Sequence, residues 1–222
     1  MPVLFLTGST GALGGAIRAK FLEEGWNVAG FSHEDDGLIH EHYRFYAVDA
    51  TNEPSIEQAF TQATRDLGTP RVLISTIGGV RPWKTVSEMP IEDFRFLFEL
   101  NLASFFIAAK QAMRLMSGEG TIISIGAEPA LSPSAKKGGY VAAKAGVITL
   151  TKVIAEEGKS IGINANCIVP TVIHTKANEE WGSPDEIQKW TKPEDIAAMC
   201  LFLSSEAGKA VNGATIRMPN RM

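Results

Sequence analysis

Apolar and polar positions along the 222-residue chain alternate between two rhythms. Short apolar runs at 3–6, 26–31, 43–48, 71–77, 121–125, 163–169 and 215–218 predict strands, the first of them buried on both faces. Between the runs lie stretches with helical spacing. In 16–24, Ile17 and Phe21 face inward together with Leu13, and in 55–67, Ile56, Ala59, Phe60 and Ala63 share one face. Residues 91–116 predict one long helix, apolar nearly all round from Phe94 to Phe106 and therefore buried on more than one side. A second long helix is predicted over 140–160 and a last one over 193–204. The segment 170–192 reads as irregular, with a short helix at 184–189. No crossover helix is predicted between Phe31 and Tyr43, where Ser32-His33-Glu34-Asp35-Asp36-Gly37 is acidic and turn-like. Strand and helix signals that alternate in this way imply a parallel sheet covered by helices, in a single domain over 1–222.

The first strand breaks at once into Thr7-Gly8-Ser9-Thr10-Gly11-Ala12-Leu13-Gly14-Gly15, and a helix follows. Glycines permit a tight turn and let backbone approach a pyrophosphate, and the helix N-terminus offers N–H groups and the positive end of its dipole. The spacing Gly8-x-x-Gly11-x-x-Gly14 differs from the common G-x-G-x-x-G of dinucleotide binders, and such a loop also serves as a plain strand–helix connection. Its place at the start of a βαβ unit favours a nucleotide cradle.

Composition narrows the classes. With 45% hydrophobic and 21% charged residues the chain can bury a full core. A net charge of -4 argues against nucleic acid or an anionic membrane as the main partner. No apolar run reaches the roughly 18 residues of a membrane-spanning helix. Met1-Pro2-Val3 leads straight into the first strand, so no signal peptide and a cytoplasmic setting are expected. Cys167 and Cys200 each sit in an apolar run and read as buried thiols. His40 and His42 alternate without a further ligand cluster nearby, so no metal site is expected. Phe94, Phe98, Leu102, Phe105 and Phe106 on one long helix, with Val147, Ile148 and Ile154 on the other, offer more apolar surface than one sheet face covers. Self-association is the expected use of that surface.

Tyr140-Val141-Ala142-Ala143-Lys144 carries the second chemical signal. A spacing of four places Tyr140 and Lys144 on one helix face. An ammonium near a phenol favours the phenolate and lowers its pKa by roughly 1–3 units, which suits proton transfer near neutral pH. Without context the same spacing describes a tyrosine packed on a lysine stem.

The context is a resemblance. Over essentially its whole length the sequence resembles the short-chain dehydrogenase/reductase family. Residues 7–14 look like its cofactor loop, Asp49-Ala50 like the acidic position that holds adenine, and Ser75-Thr76-Ile77-Gly78 falls where the family usually has Asn-Asn-Ala-Gly. Asn101 matches the helix asparagine that supports a catalytic water, and Tyr140 with Lys144 matches the catalytic pair. Asn166-Cys167-Ile168-Val169-Pro170-Thr171 resembles the segment beside the nicotinamide, and Thr175 its carboxamide-binding threonine. Lys192-Pro193-Glu194-Asp195-Ile196-Ala197 resembles the start of the last large helix.

The resemblance implies an α/β fold, a Rossmann-type doubly wound parallel sheet of about seven strands, with a short substrate lid around 176–191. It implies hydride transfer between a nicotinamide and a carbonyl or imine-like carbon of a small molecule. Tyr140 exchanges the proton, Lys144 holds the ribose and tunes Tyr140, and Asn101 positions a relay water. Cofactor contacts are expected from Gly8, Ser9, Thr10, Gly11, Ala12, Leu13, Ser32, His33, Asp49, Ala50, Ile77, Gly78, Gly79, Tyr140, Lys144, Pro170, Ile173 and Thr175. NAD binders carry Asp or Glu at the end of the second strand. Here that place is Ser32-His33, with Glu34, Asp35 and Asp36 close and no arginine, so NADP(H) is expected over NAD(H). The family commonly pairs its two long helices about a two-fold axis, which implies a homodimer or homotetramer.

The departures from the family are informative. Ala127 stands where the catalytic serine is usual; Ser124 lies earlier on the same strand, and Ser132 and Ser134 lie in the loop. Pro-Gly has become Pro170-Thr171, and the terminal Gly-Gly is Pro219-Asn220. Dihydropteridine reductases also lack that serine, and Gly11-Ala12-Leu13-Gly14, Gly78-Gly79 and Gly126-Ala127 look like that branch. An activated pterin or quinonoid acceptor is therefore one alternative, with Trp83 either stacked on a flat ring or packed under a loop. A dinucleotide-binding regulator without turnover is another. His174 stays open as a substrate contact, and Trp181 and Trp190 either line the pocket or anchor the lid.

Overall fold

The computed structural model describes residues 1–116 and 118–220. Seven parallel strands form one sheet in the order β3-β2-β1-β4-β5-β6-β7. They are β1 Val3–Thr7, β2 Asn27–Ser32, β3 Tyr43–Ala47, β4 Val72–Ser75, β5 Gly120–Ile125, β6 Ile163–Pro170 and β7 Thr215–Met218. The helices are α1 Ala12–Glu23, α2 Glu53–Leu67, α3 Ile91–Phe98, α4 Ser104–Leu115, α5 Gly138–Gly158, the short α6 Lys176–Glu179 and α7 Pro184–Ile187, and α8 Pro193–Leu203. The stretch between β2 and β3 has no helix, as its turn-like sequence predicts.

Successive side chains of a strand point to opposite faces, so β1 feeds two cores. Phe5 packs edge-on against Phe31 and Phe60, with ring centroids 5.1 and 5.0 Å away, in the layer shared with α2, α4 and α5. Leu4 and Leu6 point the other way, onto Ile17 and Phe21 of α1 and Ile196 of α8. Each such fully buried side chain contributes about 1.5–3 kcal/mol relative to exposure. Two-sided burial is why the strands read as continuous apolar runs.

The order of strands reverses at β1. The chain moves outward through β2 and β3 on one side, then returns to place β4 on the other. The carboxyl ends of β1 and β4 therefore border a crevice, the usual ligand position in an open α/β sheet.

Several predicted boundaries move. Helix α1 starts at Ala12, inside the glycine-rich turn, and β4 stops at Ser75, which frees Thr76–Gly79 as loop. Trp26 precedes β2 and packs on Phe21 at 5.0 Å. The predicted helix over 91–116 is interrupted by a π-helical turn over Glu99–Ala103, closed by Ser104 N–H donating to the Glu99 carbonyl. The expected interface set also divides. Phe105, Val147, Ile148 and Ile154 are buried in the subunit's own core, because α4 and α5 pack on the sheet along those faces. Phe94, Phe98, Leu102 and Phe106 remain at least partly exposed. Both cysteines are buried free thiols. Among the described residues no helix is long and apolar enough to cross a membrane.

Candidate active site

The turn after β1 is shaped by backbone constraint. Gly8 has φ +78 and donates its N–H to the Phe31 carbonyl at 2.7 Å, tying the turn to β2. Gly14 faces it so closely that a Cβ there would lie 2.0 Å from the Gly8 oxygen. Ser9 is fully buried, its hydroxyl 3.3 Å from Ser32 Oγ and 3.4 Å from the Tyr43 hydroxyl. Thr10 N–H donates to Ser32 Oγ at 3.3 Å. Ser9 and Ser32 thus brace the cradle from below, and Gly11 and Ala12 stand exposed at the start of α1.

Above this turn lies a cleft of about 930 Å³. Gly8, Thr10, Gly11, Ala12, Leu13, Ser32, His33, Asp49, Ala50, Ile77, Gly78 and Thr175 line it. A second cleft of about 340 Å³ shares Leu13, Thr76, Gly78 and Thr175 with the first, and adds Gly79, Tyr140, Lys144, Pro170 and Ile173. Every residue expected at the cofactor therefore lines one of two adjoining clefts, except Ser9, which lies beneath. The elongated space, walled by glycine backbone and a helix N-terminus, fits a dinucleotide.

Asn101 sits on the π-helical turn and is buried behind the second cleft. Its Oδ1 accepts from Gly79 N–H at 3.1 Å, and its Nδ2 donates to the Gly79 and Leu97 carbonyls at 3.0 and 2.9 Å. The side chain clamps the Gly78-Gly79 loop. A Cβ on Gly78 would lie 2.8 Å from Asn101 Oδ1 and 3.0 Å from Lys144 Nζ, so glycine lets the loop, the asparagine and the lysine meet.

Tyr140 and Lys144 share the face of α5 that borders the second cleft. The expected coupling between them differs from the observed one. Lys144 Nζ donates to the Ile125 carbonyl at 2.9 Å, at the end of β5. Burial brings its pKa down to about 8. Burial pushes the Tyr140 hydroxyl up to about 12, the reverse of the expected lowering, because desolvation outweighs an ammonium that is turned toward β5. Tyr140 Oη has no hydrogen-bond partner among the described residues, and its ring meets Trp83 edge-on at 5.9 Å.

Ala127 lines the same cleft and is 5% exposed. No serine takes its place. Ser124 is buried and hydrogen-bonded to Thr151 Oγ1 at 2.7 Å, facing α5, and Ser132 and Ser134 are exposed outside the cleft. The threonine hydroxyls of the cleft are engaged as well. Thr76 donates to the Thr7 and Gly8 carbonyls, Thr171 pairs with Asn220, and Thr175 caps α6.

Other expected residues sort themselves. His174 pairs with Glu179 at 2.6 Å and does not line the cleft. Trp181 lines it, whereas Trp190 is 2% exposed, with its ring 5.0 Å from that of Trp181. An arginine does reach the loop that follows β2: Arg18 binds both oxygens of Asp36, at 3.0 and 2.7 Å, and Tyr43 at 3.3 Å. Its place one turn after Gly14 on α1 was the available signal. Asp49 accepts from Thr51 Oγ1 at 2.6 Å and Thr51 N–H at 2.9 Å, which with nearby His33 holds its carboxyl below the usual range. Glu34 and Lys176, neither expected, also border the larger cleft.

A family model described as enoyl-(acyl carrier protein) reductase matches residues 8–218. A 3-oxoacyl-acyl-carrier-protein reductase of Vibrio cholerae is 29% identical over 236 residues, covering 99% of this chain and 96% of the relative. A D-beta-hydroxybutyrate dehydrogenase of Cupriavidus necator is 28% identical, over 96% and 94% of the two chains. The ligand-free structure of an aldohexose dehydrogenase from Thermoplasma acidophilum superposes with a TM-score of 0.88 at 25% identity, covering 98% of this chain and 92% of the other.

Proposed function

Since the chain belongs to the short-chain dehydrogenase/reductase family, an NAD(P)(H)-dependent class, we propose that Tyr140, Lys144 and Asn101 are its working residues in the reduction of a small carbonyl compound. The observation that carries this reading is the Tyr140 hydroxyl, which has no hydrogen-bond partner among the described residues and borders a cleft adjoining the glycine cradle. A nicotinamide dinucleotide supplies the hydride when bound. Gly8–Leu13 hold its phosphates, Asp49 and Ala50 border the adenine end, and Pro170, Ile173 and Thr175 border the nicotinamide end. Tyr140 Oη donates its proton to the oxygen of the substrate, leaving a phenolate. Lys144, as a cation one turn along, stabilises that charge and holds the ribose. Asn101 acts as a positioning residue, fixing Gly79 at the cleft wall. Residues 176–191 form the lid of a single domain over 1–222. The relatives are named as dehydrogenases and reductases and favour neither the pterin acceptor nor the regulator. The test is NAD(P)H oxidation against a panel of ketones, aldehydes, quinones and quinonoid dihydropterin. Ketone or aldehyde turnover is expected; turnover of dihydropterin alone, or binding with no turnover, would overturn the reading.

A pH dependence follows from the lysine. Burial holds its pKa at about 8, so it is a cation below that pH and neutral above. Tyr140 stays protonated throughout, its hydroxyl near 12. Reductive kcat/KM is expected to be level below about pH 8 and to fall by about tenfold per unit above it. A profile from acid to alkaline pH for wild type and Lys144→Met checks this. A wild-type profile still level a full unit above that pH would remove the lysine cation from the step.

Cofactor choice is proposed to favour NADPH modestly. Ser32, not a carboxylate, closes β2, and His33 and Lys176 stand at the cleft, with Glu34 and Asp49 as the carboxylates that line it beside them. Calorimetric titration with both cofactors checks this; NADH tighter by about tenfold, or 1.4 kcal/mol, would reverse it.

The subunit is proposed to pair through α4 and α5. Phe98, Leu102, Phe106, Leu150 and Val153 line an open apolar groove there, with Phe106 49% and Val153 45% exposed. Light scattering is expected to show a dimer or tetramer at micromolar concentration, and Phe106→Glu to shift it toward monomer.

A further inference from the structure

The second cleft has an uneven charge. Among the described residues two lysines line it, Lys137 and Lys144, and no aspartate or glutamate does. Their ammonium groups do different things. Lys144 is buried and turned to the Ile125 carbonyl. Lys137 sits at the entrance of α5, three residues before Tyr140, so that 137, 140 and 144 fall on one helix face. Its Nζ lies 5.1 Å from the centroid of the Trp83 ring, and no carboxylate among the described residues lies within ion-pair distance of it. The nearest acidic residue in sequence, Glu128, is bound to Arg217 at 3.2 and 2.5 Å.

The cleft that Lys137 borders also carries large apolar side chains. Trp83 and Trp181 are 46% and 63% exposed and border the cleft with Val172 and Ile173. Large exposed tryptophans beside an unpaired cation describe a site for a flat or apolar body that ends in an anion.

We propose that the substrate is a carbonyl compound with an aromatic or apolar body and a carboxylate, and that Lys137 is the residue that selects the carboxylate. This rests on the reading of the cleft as the substrate site and adds the class of molecule. With its carbonyl oxygen at Tyr140, the substrate directs its other end along the helix face toward Lys137, about one turn or 5 Å further along the axis. The ammonium leaves the Trp83 face only for a charge-assisted hydrogen bond, so a neutral isostere gains nothing there. Tyr140 and Lys137 would then fix the two ends of one molecule.

Matched probes test this: 4-formylbenzoate and its methyl ester, which share the aldehyde and ring and differ in charge. Their binding to the protein saturated with NADP is measured by calorimetry, and their kcat/KM with NADPH by turnover. Wild type is expected to bind the acid about tenfold or more tighter than the ester. In Lys137→Met the acid-to-ester ratio is expected to fall to about one, and in Lys137→Arg to be kept, with the ester reporting in each case that the cleft is intact. A ratio near one in wild type, or a preference for the acid that survives Lys137→Met, would overturn the assignment. Absence of turnover with both probes, with the binding ratio present in wild type and lost in Lys137→Met, would count against hydride transfer while supporting the role of Lys137.

Discussion

Tyr140→Phe is expected to lower kcat/KM for carbonyl reduction by about 10³-fold or more, toward the upper end of what a positioned proton donor contributes. The substitution removes one oxygen and keeps the ring that meets Trp83 edge-on. That oxygen leaves behind no hydrogen-bond partner among the described residues, so stability should change little. Cofactor affinity should stay within about threefold, because the cradle and the Lys144 bond to Ile125 are untouched. The loss should be large because the cleft holds no substitute. Ala127 is where the family carries a serine, Ser124 is tied to Thr151, and the cleft's threonine hydroxyls are engaged by carbonyls, Asn220 and a helix cap. Ala127→Ser provides the converse. It adds a donor at a buried wall, at a cost of about 1–3 kcal/mol if the hydroxyl finds no partner. It should raise turnover of simple ketones, by up to about 10²-fold if the hydroxyl reaches the substrate oxygen. Steady-state kinetics on the three proteins with one ketone, beside calorimetric binding of the cofactor, checks both. Undiminished turnover in Tyr140→Phe would remove the tyrosine from the mechanism.

Gly14→Ala is expected to weaken dinucleotide binding by about 100-fold and to destabilise the fold by about 1–3 kcal/mol. The added Cβ would lie 2.0 Å from the Gly8 oxygen and 2.8 Å from the Gly8 carbon, both backbone atoms. Gly8 cannot move aside cheaply. Its φ of +78 is already one that glycine alone adopts easily, its N–H is bonded to Phe31, and its oxygen accepts from Thr76. Relief requires the turn to lift away from α1, which would spoil the cradle proposed for the phosphates. Gly15→Ala is the control. A Cβ there meets nothing within 4 Å, and alanine in a helix gains about 0.5–1 kcal/mol over glycine. Thermal melts and calorimetric titration of the two variants separate them. Equal affinity in Gly14→Ala and wild type would mean that the turn is not the cradle.

Elements whose cause is local could be read directly from the residues. Continuous apolar runs mark strands buried on both faces, and their alternation with helical spacing leads to a parallel sheet; seven such strands are present. The glycine turn and the Tyr140–Lys144 spacing were legible for the same reason, since both are short-range geometry within one element and its cap. What the sequence could not decide depends on atoms far apart along the chain. The π-helical turn breaks a helix whose periodicity looked unbroken, at the place where Asn101 reaches a loop 22 positions earlier in the chain. Ser124 faces α5 because Thr151 accepts it there, and an arginine reaches the loop after β2 because α1 carries Arg18 to Asp36. Phe105, Val147, Ile148 and Ile154 looked available for a partner subunit until the packing of α4 and α5 on the sheet buried them. The protonation of Tyr140 and Lys144 depends on burial. Spacing brings a phenol and an ammonium to one helix face, but how much water each retains, and which carbonyl the ammonium finds, depends on the strands and loops that close over them.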